Sequence, residues 1–262
     1  MKRILLTIAY DGTDFCGFQL QQDKRSVEGV INEAITRLTG KKSPVIGASR
    51  TDSGVHALGN AAVFDTDSTI PPERFAMALN TALPEDVRIV SSREVGPGWH
   101  PRHQNCEKTY LYRIDCGYVP CPLTARFASH FPRNLNVCRM QEAAVRFLGE
   151  HDFTGFSNPK SQVLMAGGSP VRTITGIRVY EENVACGNGP TSRDFGRIVT
   201  IEVTGTGFLY NMVRIMAGTL MDVGTGRFTP DDVTAMLLAC DRTKSGMTAE
   251  AKGLCLKTIH WN

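Results

Sequence analysis

The chain has 262 residues, of which 42% are hydrophobic, and a formal net charge of +3 at pH 7. This length allows one large domain or two small ones, and the composition is ordinary for a globular protein. The weak positive charge does not by itself indicate a nucleic-acid partner, and no apolar run is long enough to span a membrane. Tyr10-Asp11-Gly12 also interrupts the first apolar run too early for a signal peptide. We therefore expect a cytoplasmic protein that does not cross a membrane.

The cysteines do not form a recognisable framework. None belongs to a Cys-x-x-Cys pair, and no histidine stands at zinc-ligand spacing beside one. We expect free thiols in a reducing compartment and no metal site. The eight residues are Cys16, Cys106, Cys116, Cys121, Cys138, Cys186, Cys240 and Cys255.

The first half of the chain predicts strand, helix, strand, strand, helix and strand. Apolar residues alternate at the start, as in a half-buried strand. Ser26 is a helix cap before apolar residues at helical spacing, and Gly40 ends that helix. Pro71-Pro72-Glu73 opens the second helix. The predicted strands lie at residues 3–10, 44–46, 58–65 and 87–94.

The second half predicts a similar order. Asn136 caps a helix, residues 208–222 form an apolar helix, and Thr229 before Pro230 begins another. The predicted strands are 108–116, 171–180, 197–205 and 254–261. We expect an α+β fold of two ferredoxin-like βαββαβ halves, joined into one mostly antiparallel sheet with helices on one face and a central cleft on the other.

The change between halves is predicted near residues 96–107, where Gly96-Pro97-Gly98 breaks the pattern. The domains expected are 1–103 and 104–262. Residues 151–170 are predicted to be a polar insertion loop, either functional or mobile. From the residues alone, His151 and Asp152, which begin it, could belong to a metal site or an acid–base pair.

A polar loop between two apolar runs, from Gly47 to Ala57, is the most informative stretch. Gly47 and Gly54 are expected to adopt positive φ, so that the loop turns sharply twice. Arg50 and Asp52 place a cation and a carboxylate at its centre. From these residues alone, Asp52 is either a turn acceptor in an ordinary loop or the working acid of a site.

This loop resembles the signature of the TruA family of tRNA pseudouridine synthases, Gly-Arg-Thr-Asp-Ala-Gly-Val-His-Ala. The chain departs from it at Ser49 and Ser53, where the family usually has Gly and Ala, and both changes keep the residue small. A Tyr-Asp-Gly-x-x-Phe-x-Gly-x-Gln block that begins at Tyr10 is also similar, and we expect it to be a turn that packs two aromatic rings. The resemblance implies that Asp52 is catalytic and that Arg50 fills or props the space left by a flipped uridine.

A second block resembles the family at the predicted boundary between the halves. It begins at His100-Pro101-Arg102 and continues to Tyr110, with His103 where the family usually has Phe. The resemblance implies that Tyr110 faces the target base, and a planar ring with a polar tip suits stacking on uracil.

Two later blocks complete the resemblance. The stretch from Gly205 to Gly218 implies that Arg214 pairs with Asp52, which would offset the effect of burial on the pKa of that carboxyl. A Gly-Leu block near the end implies that Leu254 is an apolar wall of the uracil pocket. Glu250 stands where the family usually has Pro. The family also has the His-Asp-Phe block that begins at His151, and the resemblance implies that this block is structural, so we leave His151 and Asp152 out of the site.

The resemblance implies isomerisation of uridine to pseudouridine in tRNA, at positions 38, 39 and 40 of the anticodon arm. It implies no cofactor and no metal, and a homodimer that binds one tRNA across both subunits. Whether Asp52 attacks the ribose C1′, attacks the base or promotes elimination stays open.

Two other classes of function remain. One is a catalytically inactive RNA-binding module of the same fold. The other is a carboxylate-dependent nucleosidase or glycosidase, although that chemistry normally needs two carboxylates and the loop offers one.

Overall fold

The computed structural model describes residues 1–183 and 197–261. The chain divides into two compact units, Met1–Cys106 with Cys255–Asn262, and Glu107–Leu254. Cys186 lies outside the described residues, and the other seven cysteines are not in disulfides. None of the helices in the described ranges has the length and apolar character needed to cross a membrane.

The elements follow the predicted alternation closely. The strands are β1 Lys2–Tyr10, β2 Ile46–Gly47, β3 His56–Thr66, β4 Val87–Val95, β5 Cys106–Asp115, β6 Ser129–His130, β7 Gly149–Asp152, β8 Val171–Asn183, β9 Arg197–Gly205 and β10 Leu254–Trp261. The α-helices are α1 Val27–Thr39, α2 Phe75–Asn80, α3 Val137–Ala144, α4 Gln162–Met165, α5 Met212–Gly224 and α6 Pro230–Ala239. The α+β class with mostly antiparallel strand pairing is confirmed.

The first unit contains the sheet β4-β1-β3-β10, with β2 paired to β3. Strands β1 and β4, β1 and β3, and β2 and β3 run antiparallel. The last strand of the chain is parallel to β3, with Cys255 opposite His56 and Leu256 opposite Ala57. Strand β1 pairs along one edge of β3. The other edge pairs with β10 near the start of β3 and with β2 near its end.

The core of the first unit lies between this sheet and its two helices. Helix α1 buries Ile31 and Ile35 completely, and burial of each such side chain stabilises the fold by about 1.5–3 kcal/mol. Phe64 on β3 meets Phe75 on α2 edge to face at 5.4 Å. The predicted ends of α1 are confirmed, because the Ser26 side chain accepts from the Gly29 amide and Gly40 is left-handed.

The second unit contains β5-β9-β8-β7 in antiparallel order, with β6 parallel to β5. The predicted cap at Asn136 is confirmed, since its side chain accepts from the Arg139 amide. The predicted start at Thr229 is confirmed as well, and it forms a reciprocal capping box with Asp232.

Two predictions for the second unit were wrong in detail. Helix α5 begins at Met212 rather than at residue 208, because Asn211 adopts a left-handed conformation with φ of 63°. The segment 151–170 is not simply a loop. His151 and Asp152 belong to β7, which pairs with β8, and a short helix follows at Gln162–Met165. The Asp152 carboxylate accepts from the Thr154 amide, which is a turn contact.

Candidate active site

Residues 47–57, which we term the motif loop, connect β2 to β3. The segment that follows β1 holds this loop in place. The Phe18 amide donates to the Thr51 carbonyl at 3.0 Å, and the Gly54 amide donates to the Phe15 carbonyl at 3.3 Å. A Cβ atom on Gly17 would lie 2.8 Å from the Thr51 carbonyl oxygen, so the two backbones approach as closely as glycine allows. The block beginning at Tyr10 therefore supports the motif loop, beyond its predicted role of packing aromatic rings.

The two glycines of the loop act differently from one another. Gly54 has φ of 75°, as predicted, which lets the chain turn after Asp52. Gly47 does not adopt positive φ, so the prediction for it was wrong. A Cβ atom there would lie 2.2 Å from the Phe18 ring, so Gly47 is required by ring packing instead.

A buried polar network fixes the centre of the loop. The Tyr10 hydroxyl and Thr51 Oγ1 share a hydrogen bond of 2.6 Å. Asn60 Nδ2 donates to the Tyr10 hydroxyl at 3.1 Å and to the Ser49 carbonyl at 3.0 Å. These side chains are buried, and a buried polar group costs free energy unless it is hydrogen-bonded. Bonds reach the loop on both sides of Arg50, so its backbone is positioned from within.

The end of the motif is tied to the same supporting segment. His56 Nδ1 accepts from the Gly12 amide at 3.0 Å and lies 3.2 Å from Asp11 Oδ1. A Cβ atom on Gly12 would stand only 2.0 Å from the Val55 carbonyl oxygen. Sequence reasoning missed this contact, although the signal was present in the Tyr-Asp-Gly block that begins at Tyr10.

The predicted site residues of the first unit lie on this loop. Arg50 is exposed, Thr51 is buried and Asp52 is half-buried. The Asp52 carbonyl accepts from the Val55 amide at 3.1 Å, which closes a tight turn at the carboxylate. A carboxylate on a fixed, partly open turn can act as a nucleophile or as a base.

Tyr110 and Tyr112 lie on β5 in the second unit. Tyr110 is 8% exposed and meets the Phe208 ring edge to face at 5.1 Å. Tyr112 is fully buried, and its hydroxyl donates to the Glu250 carbonyl at 3.0 Å. Burial is the main reason why the pKa of Tyr112 is raised far above that of a free tyrosine.

Arg214 projects from the first turn of α5 and holds the segment that precedes β10. Its Nε donates to the Ala249 carbonyl at 2.7 Å, and its Nη1 donates to the Asn211 side chain at 3.1 Å. The Arg214 carbonyl in turn accepts from the Ala249 amide at 3.1 Å. This reciprocal contact fixes the chain five residues before Leu254.

Leu254 is 6% exposed. It follows Gly253, whose backbone lies very close to β5. A Cβ atom on Gly253 would lie 2.7 Å from the Tyr112 ring and 2.9 Å from the Arg113 carbonyl oxygen. Within the second unit, Tyr112 thus connects the strand that carries Tyr110 with the segment that carries Leu254.

The predicted site residues therefore fall into two sets. Arg50 and Asp52 lie on one loop of the first unit, and Tyr110, Arg214 and Leu254 lie in the second unit. The pairing of Arg214 with Asp52 stays a prediction. Each set is supported by buried contacts in its own unit, which fix the local backbone that carries these side chains.

The comparison with known proteins gives a specific relationship. The sequence pattern that defines the tRNA pseudouridine synthases matches residues 6–104 and 143–262. The chain is 41% identical to tRNA pseudouridine synthase A of Caldicellulosiruptor saccharolyticus over 259 residues, which covers 99% of each chain. It is 42% identical to the protein of that name from Brevibacillus brevis over 256 residues, covering 98% of each.

The similar protein of Ruminiclostridium cellulolyticum, also called tRNA pseudouridine synthase A, is 42% identical over 263 residues, with complete coverage of both chains. These matches include the motif loop and extend through α5 to β10. The chain therefore belongs to the tRNA pseudouridine synthase family, whose members are isomerases that act on tRNA.

Proposed function

We propose that this chain isomerises uridine to pseudouridine in tRNA, with Asp52 as its catalytic residue. The observation that carries the proposal is the motif loop, in which the family signature coincides with a turn supported by buried hydrogen bonds from Tyr10 and Asn60. Such support holds the backbone beside Asp52 in place before substrate binds, which reduces the reorganisation that the reaction needs.

The proposed reaction rearranges one nucleoside without exchange of groups. The bond from ribose C1′ to uracil N1 breaks, the uracil rotates, and a bond from C1′ to C5 forms. The hydrogen on C5 leaves as a proton and N1 gains one, so no electrons are transferred and no cofactor is required. Asp52 attacks C1′, attacks the base or promotes elimination. All three routes break and form the same net bonds and exchange the same protons.

The other site residues are assigned from the family resemblance, supported by their surroundings. Arg50, which is exposed beside Asp52, fills the space left by the flipped uridine. Tyr110 stacks on the uracil, Leu254 closes the pocket, and Arg214 pairs with the Asp52 carboxylate. Together these roles require the halves 1–103 and 104–262 to form one sheet around a central RNA-binding cleft.

The finer assignment of the substrate and assembly is part of the same proposal. The uridines are those at positions 38, 39 and 40 of the anticodon arm, and the enzyme is a cytoplasmic homodimer. Transcripts with each of these uridines replaced by cytidine test the positions. Sedimentation of the purified chain tests the dimer, and a monomer at micromolar concentration would contradict it.

The central test measures tritium release from tRNA labelled at uridine C5. Wild type should release tritium, and Asp52→Asn should lower the rate by about 10³-fold or more, since the amide neither attacks nor accepts a proton. Asp67→Asn is the matched control, because Asp67 is an exposed partner of Lys41 away from the loop.

The other outcomes separate the alternatives. No release by wild type would favour an inactive RNA-binding module. Free uracil in place of pseudouridine would favour a nucleosidase. Undiminished release by Asp52→Asn would remove Asp52 from the mechanism.

A further inference from the structure

The loop between β9 and α5, residues 206–211, carries an aromatic side chain that the proposed mechanism does not use. At the start of this loop, the Thr206 amide donates to the Thr173 carbonyl of β8 at 3.1 Å. At its end, Asn211 has φ of 63°, and its side chain accepts from Arg214 Nη1 at 3.1 Å. The loop is therefore fixed at both ends by contacts within the second unit.

Residues 157–161, which precede α4, support the middle of this loop. The Asn158 amide donates to the Tyr210 carbonyl at 3.0 Å. The Ser161 amide donates to the Asn158 carbonyl at 2.9 Å, which closes a turn. Ser157 and Ser161 are each 1% exposed, so the turn itself is buried in the second unit. The loop is thus held at three points along its length.

The ring of Phe208, in this loop, lies over a residue of β9 that has no side chain. Tyr110 on β5 is directly opposite Val203, and Gly205 is two residues further along β9, so all three lie on the same face of the sheet. A Cβ atom on Gly205 would lie 3.3 Å from Phe208 Cζ and 2.7 Å from the Thr173 carbonyl oxygen. Glycine at this position therefore leaves the space that the Phe208 ring occupies.

The Phe208 ring in turn contacts the ring of Tyr110. Their centroids are 5.1 Å apart and their planes meet at 82°, which is the edge-to-face geometry that aromatic pairs prefer. Phe208 is half-buried, so its packing on β9 leaves part of the ring pair near the surface of the unit. A perpendicular neighbour restricts the orientations of the Tyr110 ring, and stacking on a base requires one particular plane.

We propose that Phe208 sets the plane of the Tyr110 ring and thereby positions it to stack on the target uracil. This inference rests on the proposed function for the role of Tyr110. It makes Phe208 a positioning residue that acts through Tyr110, with Gly205 as the residue that makes room for it. Residues 157–161 then contribute to the site as a support of the loop that carries Phe208.

The test measures kcat and KM for tritium release from tRNA. Phe208→Leu keeps an apolar side chain but removes the ring, and it should lower kcat about tenfold, because small errors of orientation in a site reduce rates strongly. KM should change by less than about twofold, since affinity for tRNA depends mainly on contacts to phosphates. Phe208→Tyr keeps the ring and should retain most of the activity.

Phe228→Leu is the matched control. Phe228 is half-buried like Phe208 and belongs to the same unit, where it lies between α5 and α6. Urea unfolding should show similar losses of stability for Phe208→Leu and Phe228→Leu, while only Phe208→Leu loses kcat. A loss of kcat that matches the loss of folded protein in both variants would overturn the proposal.

A double-variant comparison tests whether Phe208 acts through Tyr110. Tyr110→Leu should itself slow the reaction, so the rates are measured in a single turnover. In that background, Phe208→Leu should cause less than about a twofold further loss, because the ring that it positions is already absent. An equal factor for Phe208→Leu in both backgrounds would show an independent structural role and would overturn the proposal.

The wild-type chain separates this inference from the proposed function. Absence of tritium release by the wild type would overturn both proposals together. An active wild type with a fully active Phe208→Leu variant would overturn this inference alone.

Discussion

The two regions that carry the proposed site residues are held in different ways. The motif loop, residues 47–57, receives directional hydrogen bonds from the buried side chains of Tyr10 and Asn60. Residues 246–254 instead lie at very short backbone distances from α5 and β5. A Cβ atom on Gly218 would be 1.9 Å from the Met247 carbonyl oxygen, and one on Gly246 would be 2.6 Å from the Thr219 backbone.

This difference predicts how each region should respond to substitution. A hydrogen-bond network sets direction, so losing one bond turns a side chain while most of the packing survives. A close backbone approach has no spare volume, so one added methyl group must displace the main chain. We therefore expect the motif loop to be sensitive in activity and residues 246–254 to be sensitive in stability.

The largest effect is expected at Gly218. Gly218→Ala places a methyl group against the Met247 carbonyl and should destabilise the protein by about 3 kcal/mol or more. Urea unfolding followed by circular dichroism measures this loss. Gly176→Ala on β8 is the control, since its nearest neighbour would be an ordinary 3.7 Å away. Equal stability of the two variants would contradict the close approach at α5.

Gly12→Ala should affect both stability and activity. The new methyl group would meet the Val55 carbonyl at 2.0 Å and push the end of the motif loop away from its support. We expect about 2 kcal/mol of destabilisation and a tritium-release rate that falls more than the folded fraction does. Gly96→Ala, where no atom lies within 4 Å of the added carbon, is the control. A fully active Gly12→Ala enzyme would show that the support is not needed.

Two tyrosine hydroxyls offer a matched pair with a smaller effect. Tyr10→Phe removes the bonds to Thr51 and Asn60, and Tyr112→Phe removes the bond to the Glu250 carbonyl. Each should cost about 1 kcal/mol of stability. Only Tyr10→Phe should clearly lower kcat for tritium release, because Thr51 adjoins Asp52. Equal loss of kcat in both variants would remove the distinction between the regions.

The smallest effect concerns the ion pair between Arg3 and Asp65, whose arginine also donates to the Trp99 carbonyl. Arg3 donates to both Asp65 carboxylate oxygens, at 2.7 and 2.6 Å, and this contact lowers the pKa of Asp65. A lowered folded-state pKa stabilises the protein above the unfolded-state pKa, and this stabilisation disappears as the pH falls. Asp65→Asn should therefore cost about 1 kcal/mol or less at pH 7.

Below about pH 4 the cost of Asp65→Asn should shrink, because the wild-type carboxyl then becomes protonated. Unfolding curves of both proteins between pH 7 and pH 3 measure the difference. A constant difference across this range would exclude the ion pair as its source.

Local signals predicted most of the fold. The caps at Ser26, Asn136 and Thr229 and the left-handed end at Gly40 depend on neighbouring residues, so the sequence reveals them directly. The start of α5 was missed because Asn211 adopts positive φ, a conformation that packing imposes on a residue otherwise compatible with a helix. Short strands such as β7 were missed because their pairing partner lies elsewhere in the chain.

The supporting contacts of the site were less predictable from the sequence than the helix ends. The family signature predicts Asp52 as the catalytic residue and Arg50 as its neighbour in the site, and both assignments stay predictions. The hydrogen bond from Asn60 to Tyr10 spans 50 positions and that from Gly12 to His56 spans 44 positions, so no local sequence window contains both partners of either bond. Gly47 shows the same limit, since its need for glycine comes from the Phe18 ring rather than from its own backbone.

The position of β10 has a consequence for how the first unit folds. His56 and Ala57 pair with Cys255 and Leu256, so one edge of β3 beside the motif loop is completed by residues far later in the chain. Until those residues are synthesised, a nascent chain holds the motif loop on an incomplete sheet. Closing so long a loop also costs entropy before the strand pairing forms, which slows folding. Completion of this strand edge is thus a late step in folding, because it must wait for β10.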